Sequence, residues 1–360
     1  MAGSTVEHEF WQGRRVLVTG HTGFKGSWLT LWLASMGAEV HGIALDPDTT
    51  PSHFDLAGIG ALMAADHRID IRDRTATTQA IHDANPEIVF HLAAQPLVRL
   101  AHAQPVETFD TNVMGTVHVL DAVRQLKAVR ACIAITTDKV YRNLEWPWPY
   151  RESDALGGRE PYGASKAACE MVIEAWRHSW FVPQGIGLLS VRAGNVIGGG
   201  DWAADRLIPD FVRATLEGRP LVLRNPEAVR PWQHVLEPLK GYLVAAQRLT
   251  DDPLCLPEAI NFGPDPADFC TVRQVVDQAI GVWGAGAGWH HEPDGSVPES
   301  RLLTIDNALA REALGWQPTW AIDDCIDKTI GWYRTAAQPG TDVAALSRAE
   351  IATFEEGKTT

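Results

Sequence analysis

Tyr162 and Lys166 stand four apart in Tyr162-Gly163-Ala164-Ser165-Lys166, and Thr137 lies 25 residues before the tyrosine. Residues at i and i+4 share one face of a helix, about one turn apart. An ammonium beside a phenol favours the phenolate. At roughly 4 Å and an effective dielectric of about 20, the attraction is about 4 kcal/mol. That is enough to bring a tyrosine from about 10 to roughly 7, a base for a hydroxyl proton near neutrality. The same spacing occurs on solvated helices, so the surrounding sequence has to decide what it does.

Gly20, Gly23 and Gly26 form a G-x-x-G-x-x-G turn directly after the apolar run Arg15-Val16-Leu17-Val18-Thr19 and at the opening of a helix. Such a turn lets backbone N–H groups approach a pyrophosphate, and the helix N-terminus favours its charge. A plain strand–helix turn also uses glycine, but the strand before and the helix after point to dinucleotide binding. Asp46 follows the second strand, where a carboxylate binds an adenosine ribose and repels a 2′-phosphate, favouring NAD over NADP. It is otherwise a loop cap. Asp70-Ile71-Arg72-Asp73 is expected beside the adenine, or else is a solvated charge cluster.

These residues need a frame to hold them. Glu39–Ala44, Glu87–Leu92 and Ala131–Thr136 read as further short strands, and Ser27–Ser35, Asn112–Leu126 and Tyr162–Arg177 as helices. Repeated strand–helix units imply an α/β fold, a doubly wound parallel Rossmann sheet. Beyond Gly187 the pattern turns irregular, with Gly198-Gly199-Gly200 and many prolines. The expected division is residues 1–187 for the dinucleotide domain and 188–350 for a smaller substrate-binding lobe with some chain returning, followed by a loose tail at 351–360.

The chain has 360 residues, 45% hydrophobic and 21% charged, with a formal net charge of −14. That composition is ordinary for a globular protein, and the acidity argues against a nucleic-acid or membrane-surface binder. Cys132, Cys169, Cys255, Cys270 and Cys325 show no C-x-x-C spacing and read as reduced, buried thiols in a cytoplasm. Met1–Phe10 has no signal-peptide pattern, and no apolar stretch reaches membrane-spanning length. The 14 tryptophans read mostly as core or loop anchors. His21, His91 and His234 lack metal-ligand spacing, and no metal site is expected.

Together the residues resemble the extended short-chain dehydrogenase/reductases, and more closely the CDP-glucose 4,6-dehydratase family. The resemblance is carried by Thr19-Gly20-His21-Thr22-Gly23-Phe24-Lys25-Gly26-Ser27-Trp28, by His91–Arg99, Thr111–Thr116 and Thr137-Asp138-Lys139, and by Arg192-Ala193-Gly194-Asn195-Val196-Ile197-Gly198-Gly199-Gly200-Asp201-Trp202. Arg230–Leu239 and Asn261–Pro264 extend it past residue 260, over about three quarters of the chain.

The resemblance implies that Gly20, Thr22, Gly23, Phe24, Lys25, Gly26, Asp46, Asp70, Ile71, Leu92, Ala93, Ala94, Gln95 and Asn112 hold NAD. Tyr162 takes the O4 proton of a nucleotide sugar, Lys166 lowers the tyrosine and binds the nicotinamide ribose, and Thr137 bonds O4. The bland alternative for Thr137 is a strand-end cap. Asp138 then protonates the departing C6 hydroxyl, and Lys139 either removes the C5 proton or stabilises the enolate. Related thymidine-diphosphate-sugar enzymes carry Asp-Glu at this pair. Asp138 has to be kept protonated by desolvation, and Lys139 has to lie about 3 units below ~10.4 to act as a base. A salt bridge between neighbours is the alternative.

Gln95, Asn195, Arg206, Arg224, Arg230 and Arg301 are the candidates for the substrate, since arginine forks match phosphate oxygens; each arginine could instead be an ordinary surface residue. Pro298–Asp306 departs from the family pattern in a stretch that the resemblance implies helps hold the nucleotide. The implied reaction is dehydration of CDP-glucose in a route to deoxy sugars of cell-surface polysaccharide such as O-antigen. The enzymatic alternatives are a 4-epimerase or a dehydratase for another nucleotide sugar; a non-catalytic NAD-sensing scaffold is the third. The two apolar-faced helices at 112–126 and 162–177 are expected to build a homodimeric four-helix bundle.

Overall fold

The computed structural model describes residues 5–293 and 300–357. Seven strands, β1 (Arg15–Thr19), β2 (Glu39–Ala44), β3 (Ala65–Arg68), β4 (Ile88–His91), β5 (Ala131–Ile135), β6 (Gly187–Ala193) and β7 (Ala259–Phe262), form one sheet. All pairings are parallel and the order is β7-β6-β5-β4-β1-β2-β3. The direction of winding reverses between β1 and β4, so a crevice opens at their carboxyl ends, where such sheets bind ligands.

The two-residue period of the strands sorts their side chains onto two cores. Val16 and Val18 of β1, Ile88 and Phe90 of β4, and Ile133 of β5 pack with the helices Phe24–Ser35 and Leu236–Asp251. Leu17, Val89 and Cys132 face the other way, onto Ile81, Val119 and Ile173 of the helices Arg74–Ala84, Gly115–Val123 and Pro161–Trp176. Strands covered on both faces have no reason to alternate in polarity, which is why β4 to β6 are buried throughout.

The irregular half divides between two places. β6, β7 and the helix Leu236–Asp251 all return to the dinucleotide domain, while the helices Leu207–Leu216, Val272–Trp283 and Ile322–Ala336 build the lobe over the strand ends. Of the expected loose tail, residues 358–360 lie outside the described residues, and residues 351–355 close a helix, Val343–Glu355, capped by Asp342, with Ile351 and Phe354 in the core. It covers the outer face of Phe24–Ser35, which explains why Gly26 to Leu33 of that helix are buried in succession. Trp11, Trp28, Trp32, Trp316 and Trp332 are fully buried, as expected, but Trp148 is exposed. The five cysteines are unpaired; Cys255 is exposed, because it lies on the loop after Leu236–Asp251 rather than in a core. Among the described residues no helix is long and apolar enough to cross a membrane.

Beneath the crevice lies a buried ion pair. Glu170 on the Pro161–Trp176 helix meets Arg192 on β6 at 2.9 Å and also accepts bonds from Thr136 and Ser190. Burial alone raises a carboxyl, yet Arg192 and the two hydroxyls hold Glu170 below its usual range. Replacing Arg192 alone strands that charge. We expect Arg192→Met to lose about 3–5 kcal/mol in urea unfolding, and the double variant Arg192→Met/Glu170→Leu to recover most of it. A single variant within 1 kcal/mol of the parent (roughly the worth of an exposed pair) refutes this.

Candidate active site

The crevice is a cavity of about 1140 Å³. Its floor is the turn after β1. Gly20 has a φ of +75°, and a Cβ there would lie 2.7 Å from the Ala93 backbone nitrogen. A Cβ on Gly26 would lie 2.1 Å from the Gly20 carbonyl oxygen. The helix Phe24–Ser35 begins at the cavity with no side-chain cap and no acidic residue in its first turn. Its first N–H groups are therefore available to an anion. An adenine dinucleotide fits this wall, which continues through Thr22, Gly23, Phe24, Lys25, Asp46, Asp70, Ile71 and Leu92 to Gln95.

The reacting end is built by two elements in close contact. Glu160 caps the helix Pro161–Trp176, its carboxylate accepting from the Tyr162 and Gly163 N–H groups at 2.7 and 2.6 Å. A Cβ on Gly163 would lie 2.7 Å from the Lys139 carbonyl oxygen, so glycine there lets the turn Asp138–Val140 seat against Tyr162. Neither Glu160 nor Gly163 was singled out from the sequence. The signal was present in Glu160-Pro161, an acidic cap before a first-turn proline.

Thr137, Asp138, Lys139, Tyr162 and Lys166 all line the cavity. The Thr137 hydroxyl donates to Asp138 Oδ1 at 3.0 Å, while Asp138 Oδ2 is buried without a hydrogen-bond partner. Burial pushes the Asp138 carboxyl above the usual aspartate range, against the opposing pull of Lys139, the Thr137 hydroxyl, Arg230 and Lys25. Desolvation thus favours the protonated form of Asp138. Lys25 reaches this end of the cavity, and burial, followed by repulsion from Arg206, pulls its ammonium down to about 8.

The tyrosine differs from expectation. Burial raises the Tyr162 phenol well above its ordinary range, Asp138 adds to this, and the Thr137 hydroxyl and Arg206 pull it back. Lys166 does not supply the lowering predicted from the spacing. Its Nζ donates to the Ile135 carbonyl at 2.9 Å, and burial lowers the ammonium itself, opposed by Cys169 and Glu170.

Other expected residues sort unevenly. Asn112 is buried behind the cavity wall, where it bonds the Gln95 backbone at both ends and Ser165 Oγ. It braces the loop rather than facing a cofactor. Gln95 lines the cavity, but its side chain donates to Thr108 and accepts from the Leu97 N–H. Asp46 stands exposed at the rim, 3.7 Å from Arg68, and Asp70 is held by Arg72. Asn195, Arg206, Arg224 and Arg230 line the cavity. Arg206 pairs with Asp201 at 2.9 Å, and Arg230 donates to the Val229 and Ser300 carbonyls. Arg301 does not line it: the residue is exposed and its backbone N–H bonds Glu145. Pro298 and Glu299 of the same stretch lie outside the described residues. The three histidines are separate: His21 bonds Asp66, His91 sits between Thr19 and Thr116, and His234 lies 3.0 Å from Glu350.

The raised Asp138 carboxyl has a consequence for stability. Folding tightens its proton relative to an unfolded aspartate near ~3.9, so this group's contribution is fully present below that value and is lost as pH rises through the raised one. Asparagine cannot titrate. Asp138→Asn should therefore gain stability relative to the parent between pH 4 and pH 8 in urea melts. An equal difference at both pH values refutes the assignment.

Residues 17–329 match the family described as GDP-mannose 4,6 dehydratase. CDP-glucose 4,6-dehydratase of Salmonella typhimurium is 47% identical over 359 residues, covering 98% of this chain and 99% of that protein. Among solved structures, the UDP-glucose 4-epimerase of Thermotoga maritima with UDP-glucose superposes with a TM-score of 0.78 at 22% identity, over 90% of this chain and 99% of its own. The dTDP-glucose 4,6-dehydratase of Bacillus anthracis in complex with NAD gives 0.73 at 22%, over 89% and 96%. Those two structures share the fold. The family model over residues 17–329 and the match over nearly the whole chain show that the chain belongs to the nucleotide-sugar 4,6-dehydratases, in the family of the CDP-glucose 4,6-dehydratases.

Proposed function

We propose that this protein is a hydro-lyase that converts CDP-glucose to CDP-4-keto-6-deoxyglucose with NAD held on the glycine turn. The observation that carries the reading is Asp138, a buried carboxyl whose proton desolvation favours, one residue from Thr137 and beside Tyr162. A 4-epimerase needs the tyrosine and the threonine but no acid at this place.

Bound in this cradle, NAD supplies the acceptor for the C4 hydride and its return to C6. The residues handle the protons. Tyr162 takes the O4 proton, its phenolate supported by the Thr137 hydroxyl and Arg206. The C4 ketone acidifies C5, and we assign to Lys139, half-buried on the same turn as Asp138, the part of receiving that proton and giving it back. Asp138 protonates the C6 hydroxyl, which leaves as water. Thr137, bonded to Asp138 Oδ1 and set beside the phenol, then passes the Tyr162 proton to Asp138. One O4 proton taken and one proton given to water leave the enzyme unchanged. Asn195, Arg206, Arg224 and Arg230 hold the diphosphate.

Exposed apolar side chains on two helices support a homodimer. Val106, Phe109 and Met114 on the helical run 105–123, and Met171 on the catalytic helix, stand in solvent. Pairing these helices with those of a second copy would cover them as a four-helix bundle. Five unpaired thiols fit the cytoplasm.

Incubation with CDP-, UDP- and dTDP-glucose should give the alkaline 4-keto absorbance with CDP-glucose foremost. Turnover of another sugar nucleotide without any of CDP-glucose overturns the base assignment. Lys139→Ala should still oxidise C4 but release no water, and normal release of water removes Lys139 from the elimination. Light scattering should give twice the 39.4 kDa chain mass; a single peak at the monomer mass refutes the dimer.

A further inference from the structure

Asp205 is one of three non-glycine residues among those described that adopt a left-handed backbone, with φ of +60°. Side chains other than Asn and Asp rarely accept that conformation. The residue lies in the loop before the helix Leu207–Leu216, and its carboxylate is shared by two guanidiniums. Arg224 Nη1 lies 3.1 Å from Asp205 Oδ1, and Arg99 Nε lies 3.5 Å from the same oxygen. Arg99 comes from the helix Val98–Ala103 after β4, on the dinucleotide side of the crevice. Arg224 follows the short strand Leu221–Leu223 of the covering lobe. All three line the cavity together with Arg206 and Asn195. Two cations from distant parts of the chain thus converge on one oxygen of a carboxylate held by an uncommon backbone.

Guanidinium binds carboxylate and phosphate oxygens with the same fork geometry. A diphosphate offers several oxygens where Asp205 offers each arginine the same one. Its charge is also larger than that of a carboxylate. Asp205, Arg99 and Arg224 are all partly solvent-exposed, so the pairs are individually weak and exchangeable. We propose that Asp205 is a displaceable counter-ion that holds Arg99 and Arg224 across the cavity mouth, and that the diphosphate of the nucleotide sugar takes both arginines from it. Arg99 thereby becomes a phosphate ligand contributed by the dinucleotide half. Asp205 keeps the two arginines aimed at the cavity between turnovers and sets a threshold that a ligand with a single phosphate passes poorly. This inference rests on the reading of the cavity as a nucleotide-sugar site.

The test is isothermal titration of the full-length, NAD-loaded protein with CDP, UDP, CMP and inorganic pyrophosphate. Asparagine tolerates the left-handed backbone, so Asp205→Asn removes the charge while the loop keeps its shape, which thermal unfolding checks. We expect Asp205→Asn to bind CDP and pyrophosphate about three- to tenfold more tightly and to narrow the gap between CDP and CMP. Arg99→Met should weaken CDP about tenfold. Unchanged or weaker CDP binding in Asp205→Asn, or parental affinity in Arg99→Met, overturns the proposal. If UDP rather than CDP binds the parent and shows the Asp205→Asn gain, the counter-ion stands and the cytidine assignment falls. If CDP binds the parent tightly and both variants are neutral, the counter-ion falls and the nucleotide-sugar reading stands.

Discussion

Everything at the reacting end depends on Glu170 and Arg192 meeting in the interior. Glu170 sits one turn beyond Lys166 on the catalytic helix, and Arg192 lies on β6, so their pairing clamps the helix to the sheet. The same carboxylate takes the Thr136 hydroxyl, immediately before Thr137 at the end of β5. Arg192 also donates to the Tyr141 hydroxyl, which donates to Asn261 on β7. Three strands and the catalytic helix are thereby held in one register by groups that are fully satisfied. A partly satisfied buried network would be costly, and this one places Thr137, Asp138 and Tyr162 without spending any of them.

On that base the site separates two jobs by environment. The floor, where a pyrophosphate would lie, is made of backbone: glycines, an uncapped helix start and a loop fastened by Asn112. The reacting end is made of side chains taken out of water. Desolvation is what distinguishes Asp138 from the exposed aspartates at the rim, and the same desolvation raises Tyr162. One physical cause therefore prepares an acid and makes a base harder to form. The hydroxyl of Thr137 and the guanidinium of Arg206 are the groups that relieve the second effect. At the mouth the rule reverses: charges are half-solvated, paired loosely and exchangeable, as suits a charged ligand that must also leave.

Much of this was legible in the chain because it is local. A strand, a glycine turn and a helix are neighbours in sequence, and the four-residue spacing of Tyr162 and Lys166 means one helix face wherever the helix is put. Four of the seven strands of the central sheet, β1, β2, β4 and β5, were legible for the same reason, as short apolar runs; β3, with its Ala-Asp-His-Arg sequence, and β6 and β7, in the irregular half, were not. Direction was not. Asn112 and Arg301 have the chemistry of ligands, yet one braces a loop from behind the wall and the other faces solvent. The lysine expected to lower Tyr162 bonds a carbonyl instead, because β5 ends beside it. The first half of the tail expected to be loose, 351–355, closes a helix that the outer face of Phe24–Ser35 requires for burial.

The amino-acid order alone determined the α/β winding, the dinucleotide turn and the residue types at the catalytic positions, since these follow from spacings of two to seven residues and from side-chain chemistry. Only the tertiary structure decided their electrostatics. Whether Asp138 keeps its proton depends on what closes over it. Which arginines share Asp205 depends on two walls meeting from distant parts of the chain. Pairing rules along a helix or strand reach about one turn; burial and charge are set by everything that folds across them.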